Sequence, residues 1–211
     1  ATAVCWSLTP FFFTAASRRI GAFSTNIIRL VLACVFLGTV VLATGSLHAM
    51  PGRQTAMFAL SGFIGLTLGD AALFDAFVIL GPRRVSLLGA TAPVVVAIAS
   101  VPLLGEHVSQ VGLAGMALTL GGVAWVVMER AEDGAVTGSL ARGVLMGVLA
   151  AVGQGLGFIF AKAGLGEAPA SSWIGGLAAG DGAAQSVTPL LGTLLRMLAG
   201  CGGMLVWAAA R

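Results

Sequence analysis

The chain has 211 residues, of which 58% are hydrophobic and only 9% charged. A soluble domain carries about 25% charged residues because its surface must face water, so lipid is the solvent for most of this chain. The formal charge of +3 comes with no basic cluster longer than Arg18-Arg19 or Arg83-Arg84, which excludes a nucleic-acid partner.

A spanning helix needs about 20 mostly apolar residues, and seven runs qualify as candidates. The first, residues 1–16, is short and apolar from its start, with no charged leader that would read as a signal peptide. The second is 22–44, followed by Pro51-Gly52-Arg53. The third, 56–80, ends at Gly81-Pro82-Arg83-Arg84, and the fourth, 85–104, ends at Gly105-Glu106-His107. The fifth, 110–128, runs into the charged stretch Glu129-Arg130-Ala131-Glu132-Asp133. The sixth is 143–164, and a Gly/Ala/Ser-rich connection holding Trp173 and Asp181 leads to the seventh, 187–209. Both ends read as those of a piece of a longer protein. Run lengths point to helices, since barrel strands are about 10 residues long and alternate. The fold expected is an all-α, polytopic transmembrane helix bundle.

Two short segments recur. Phe11-Phe12-Phe13-Thr14-Ala15 resembles Phe158-Ile159-Phe160-Ala161-Lys162, and the stretch from Thr25 to Ala33 resembles that from Gly192 to Ala199. The second match aligns Arg29 with Arg196 and Cys34 with Cys201. A repeat of five helices, an odd number, places its second copy upside down, as in many secondary transporters. The expected organisation is a first repeat over 1–128, a connecting loop over 129–142, and the start of an inverted second repeat over 143–211. For orientation, one side carries Arg18, Arg19, Arg83, Arg84, Arg130, Arg142 and Arg211, against Arg53 and Lys162 on the other. This puts the amino terminus outside.

Polar groups inside apolar runs are expensive, roughly 2.5–3.5 kcal/mol for an arginine at the bilayer centre, and so are functional candidates. Arg29 and Asn26 lie one turn apart on one helix face and can together hold an anionic group; the structural alternative is an arginine reaching to the headgroups. Arg196 shares both readings. Asp70, near the middle of the third run, is a candidate for proton coupling or solute contact, or a carboxyl kept protonated by desolvation. Asp75 lies five residues on, about 500° of helix rotation, so it faces elsewhere and can pair with Arg83 or Arg84. Gln154, between Gly153 and Gly155, offers amide bonds to a solute or to another helix, and Lys162 reaches to the interface. Pro93 and Pro189 can kink their helices or leave carbonyls free. Gly65-x-x-x-Gly69 and Gly143-x-x-x-Gly147 read as packing faces, and Gly153-x-Gly155-x-Gly157 is not a phosphate loop. The three cysteines give neither a disulfide framework nor a metal spacing, and His48 and His107 are the only histidines. No Gly-x-Ser-x-Gly elbow is present. Neither an enzyme nor a cofactor is expected.

The stretch Gly69-Asp70-Ala71-Ala72-Leu73-Phe74-Asp75-Ala76, then Gly81-Pro82-Arg83-Arg84-Val85-Ser86, Pro93-Val94-Val95-Val96-Ala97, Leu104-Gly105-Glu106 and a Gly-rich run from Gly112 to Val123 carry a resemblance. They resemble the EamA-type family of the drug/metabolite transporter superfamily, over nearly all of 1–128 and more weakly beyond. The resemblance implies a ten-helix transporter of two inverted five-helix repeats, seven helices of it present here. It implies export or exchange of a small solute by alternating access, with proton or solute counter-transport, in a multi-pass bacterial inner-membrane protein. Pro93, Gly105 and Glu106 match family motif positions and are read as structural. Asp70 and Asp75 stand where the family commonly has apolar or aromatic residues. Family members are usually drawn with both termini cytoplasmic, which conflicts with the arginine count. The competing readings are a non-transporting membrane scaffold or subunit, and a membrane-embedded enzyme.

Overall fold

The computed structural model describes residues 2–128, 138–169, 171–178 and 188–210. Every regular element among them is helical: α1 (Thr2–Ile20), α2 (Ala22–Ala43), α3 (Gly52–Gly62), a π-helical segment (Phe63–Gly69), α4 (Asp70–Gly89), α5 (Ala92–Leu104), α6 (Gln110–Met128), α7 (Leu140–Gly164), α8 (Trp173–Ala178) and α9 (Pro189–Ala209). Arg130, Asp181, Arg211 and the side chain of Trp6 lie outside the described residues. Five helical stretches are long and apolar enough to cross a bilayer: α2, the stretch Gly52–Gly89, α6, α7 and α9. α1, which closes on Arg18 and Arg19, is not among them, and α5 is a shorter apolar helix of 13 residues.

One proline decides where the third and fourth predicted runs part. Pro82 disfavours helical backbone at the residue before it, and Gly81 takes φ 77°, ψ 173°, a conformation open to glycine alone. The rod that starts at Gly52 therefore breaks at Gly81. A short helical piece follows it, and Ala90 and Thr91 separate that piece from α5. Pro93 sits in the first turn of α5 and Pro189 opens α9, positions where a missing N–H costs nothing. Neither proline kinks a helix, contrary to the reading above; both start one. The Leu104-Gly105-Glu106 stop is local geometry: Gly105 adopts φ 67° and the Glu106 N–H returns to the Ser100 carbonyl. α7 begins at Leu140, capped by the Ser139 side chain, and so takes the last three residues of the expected 129–142 loop.

The bundle is organised around α7, which packs on α3, the π segment, α4 and α5; α9 packs on α2, α3 and the π segment. Small residues set these distances. Gly65 and Gly69 face Gly157 and Gly153, and a methyl on Gly153 would lie 2.7 Å from the Gly69 Cα. Gly143 and Gly147 lie under the side chains of Leu80 and Leu88. Interhelical hydrogen bonds bridge neighbouring helices: Ser61 Oγ donates to the Gly157 carbonyl at 2.6 Å and Thr67 Oγ1 to the Gly200 carbonyl at 3.0 Å. Apolar clusters flank this seam, one around Phe74, Phe77 and Leu80, another around Leu30, Leu66 and Met204. Cys34 packs on the second cluster against Cys201, so the two cysteines aligned by the repeat meet in space. α6 rests mainly on α4 and leaves most of its surface exposed.

Candidate functional site

The Gly69–Gly153 contact also positions polar chemistry. Gln154 follows Gly153 and Asp70 follows Gly69, so the two residues next to this close backbone approach come into reach of each other. Gln154 Nε2 donates to Asp70 Oδ1 at 2.5 Å, and Arg29 Nη2 of α2 donates to Asp70 Oδ2, closing an ion pair. Asp70 is 1% exposed, whereas Arg29 keeps 25% of its side chain accessible. The same Arg29 nitrogen donates to Asn26 Oδ1 at 3.1 Å. From α9, Arg196 Nη2 donates to Gln154 Oε1 at 3.4 Å. Four elements thus converge on one carboxylate.

The π segment helps to hold this arrangement. A π turn departs from the i→i−4 pattern and is frequently found at functional sites. Its Gly65 carbonyl accepts from Gln154 Nε2 and its Leu66 carbonyl from Asn26 Nδ2, both at 3.4 Å. Asp70 comes directly after it. Aromatic faces cover the guanidinium groups: Arg29 lies 6.0 Å from the Phe13 ring and 5.5 Å from Phe74, and Arg196 lies 4.9 Å from Phe158. Nε of Arg29 and Nε of Arg196 are buried without a hydrogen-bond partner among the described residues. Counted formally, two guanidinium groups face one carboxylate, leaving the cluster at +1.

Of the candidates read from the sequence, Asn26, Arg29, Asp70, Gln154 and Arg196 are brought together. Asp75 is not: it is exposed, and among the described residues it forms no ion pair with Arg83 or Arg84. Among the described residues Pro93, Gly105 and Glu106 form no polar contact with the cluster; Pro93 and Glu106 line a cleft of about 610 Å³ between α5, α6 and Phe158. Lys162 does not simply extend to the interface. Its Nζ donates to Glu106 Oε1 at 2.5 Å, tying α7 to the turn after α5, and this hydrogen bond holds the Glu106 carboxyl below its usual range. The aromatic contacts of Phe13, Phe74 and Phe158 escaped the sequence reading. For Phe158 a signal existed: Gln154, Phe158 and Lys162 are spaced four apart and share one face of α7. Among the described residues no group of three or more His, Cys, Asp or Glu side chains gathers as a metal site would require.

Compared with protein-family models, residues 1–128 match the EamA-like transporter family, more than half of the chain. The chain belongs to the EamA-like transporter family. No curated protein and no solved structure matches it. An EamA-like transporter is an integral, multi-pass membrane protein that works on a small solute in a lipid bilayer, and the five long apolar stretches agree with that. The matched residues supply Asn26, Arg29 and Asp70; Gln154 and Arg196 come from the helices beyond the match.

Proposed function

We propose that this EamA-like chain is a secondary transporter that exports or exchanges a small metabolite by alternating access, with the Asp70 cluster on the solute path. One observation carries the reading: a carboxylate, two guanidinium groups and two amides, contributed by α2, α4, α7 and α9, meet inside helices otherwise built for lipid. Placing charges there costs several kcal/mol, and a scaffold gains nothing from it that leucine would not supply. The glycine seam between the π segment and α7 supports the mechanical side, because smooth facing backbones can slide or rock with few interlocking side chains. The duplication reading fits as well. Arg29 and Arg196, aligned by the repeat, enter the cluster from α2 and α9, Arg29 on Asp70 and Arg196 on Gln154, one from residues 1–128 and one from 143–211. A rocking motion that exchanges the two arginines' claim on one carboxylate would expose the site to each side in turn. Proton or solute counter-transport would balance the charge.

The test is counterflow. Full-length protein reconstituted in vesicles preloaded with each member of an unlabelled metabolite panel should accumulate the matching labelled solute transiently, for at least one member. Protein-free vesicles should not. Accumulation of no member above that background counts against transport.

A further inference from the structure

We propose that the solute is an amphipathic organic monoanion whose acidic head pairs with Arg196 and whose apolar body lies in the cleft between α5, α6 and Phe158. The head comes first. Asp70 is engaged on one oxygen by Arg29 and on the other by Gln154. Among the described residues Arg196 has no carboxylate in contact: it has one long bond to the Gln154 amide, the face of Phe158, and a buried Nε with no partner. The other described carboxylates do not serve it. Glu106 holds Lys162, Asp75 is exposed outside the cluster, and Glu167 lies past the end of α7. A guanidinium in a low-dielectric setting is costly until an anion meets it. Its planar fork suits a carboxylate or phosphate.

The body follows from what adjoins that arginine. Phe158 stacks on Arg196 and also lines the cleft of about 610 Å³, which lies within the range of small-molecule sites. Ala92, Pro93, Val96 and Ala97 give the cleft an apolar wall, and its outer rim carries Glu106, already paired with Lys162. Gln154, Phe158 and Lys162 run along one face of α7, so that face leads from the rim past the shared ring to the cluster. Charge waits at one end and hydrocarbon lies along the way; a single anionic head on an apolar body matches both.

This inference takes the cluster as the solute site, as in the transport reading, and is tested by binding rather than flux. Full-length protein in nanodiscs is titrated calorimetrically with phenylacetate, with its neutral analogue phenylacetamide, and with acetate. Phenylacetate should bind at least about tenfold more tightly than either, since a charge-assisted bond and an apolar body each contribute on that scale. Arg196→Gln should lose about tenfold or more for phenylacetate, Arg196→Lys less, and Phe158→Ala should weaken phenylacetate without changing acetate. Because Phe158 is half exposed, that variant keeps the test open if Arg196→Gln does not fold. Equal binding of acid and amide, or of phenylacetate and acetate, overturns the proposal, as does wild-type phenylacetate affinity in folded Arg196→Gln. Phenylacetate binding as described without counterflow of any solute would leave this inference standing and sink the transport reading. Counterflow with no phenylacetate binding would do the reverse.

Discussion

Removing the Arg29 side chain is expected to cost the folded protein about 3 kcal/mol and to abolish counterflow. Breaking a buried pair from one side leaves the remaining charge uncompensated, typically at about 3–5 kcal/mol. The lower end applies because Arg29 is 25% exposed, so water screens part of the pair. Asp70, 1% exposed, would keep only Gln154 as a direct partner. The paired change Arg29→Gln with Asp70→Asn removes both charges and keeps polar groups in place, so it should recover most of the lost stability. It should not recover transport. Thermal or denaturant unfolding in detergent across the four members of the cycle measures the coupling. A cycle whose single variants add without coupling would show that the pair does not hold these helices together.

The second large effect lies in the glycine seam. Gly153→Ala puts a methyl 2.7 Å from the Gly69 Cα, 3.1 Å from its nitrogen and 3.2 Å from the Ile64 carbonyl oxygen. These are backbone atoms, which cannot rotate away, so α7 and the π segment must separate. Overpacking of this kind costs about 1–3 kcal/mol, and counterflow should fall with it, because Gln154 moves with Gly153 and its 2.5 Å bond to Asp70 lengthens. Gly202→Ala is the control. Also helical, Gly202 is exposed with nothing within 4 Å of an added methyl, so its effect should stay within about 0.5 kcal/mol. Equal melting temperatures for the two variants would contradict the seam.

How much of this was legible beforehand follows from where the physics is local. Lipid as solvent can be read from composition, and with it the rule that Arg29, Asp70, Gln154 and Arg196 must look inward. The separation of Asp70 from Asp75 was legible too, since five residues turn a helix through about 500°. Their convergence was not. It depends on the π segment, which alters helix phase just before Asp70, and nothing in Phe63–Gly69 announces a π turn over an ordinary one. Pro93 and Pro189, read as kinks or as sources of free carbonyls, instead open their helices; for Pro93 this is because the turn at Ala90 and Thr91 ends the preceding run later than the apolar pattern suggests. The Lys162–Glu106 bond joins residues that are distant in sequence, each near the end of its own apolar run, where reaching for water is the ordinary expectation. Gly65, Gly69, Gly153 and Gly157 were visible as spacings, while the pairing of one set against the other is tertiary information.

The central claim is that the inward-facing carboxylate, and not its exposed neighbour, belongs to the solute path. Asp70→Asn and Asp75→Asn, compared side by side for initial counterflow rate at equal reconstituted protein, test it most directly. Asp70→Asn leaves Arg29 without its counter-charge and removes the only carboxylate of the cluster, and the rate should fall about 100-fold, the kinetic equivalent of about 3 kcal/mol. Asp75→Asn, at an exposed position outside the cluster, should stay within about twofold, since surface changes are worth about 0.5 kcal/mol or less. Undiminished transport by Asp70→Asn, or a loss confined to Asp75→Asn, would contradict the account.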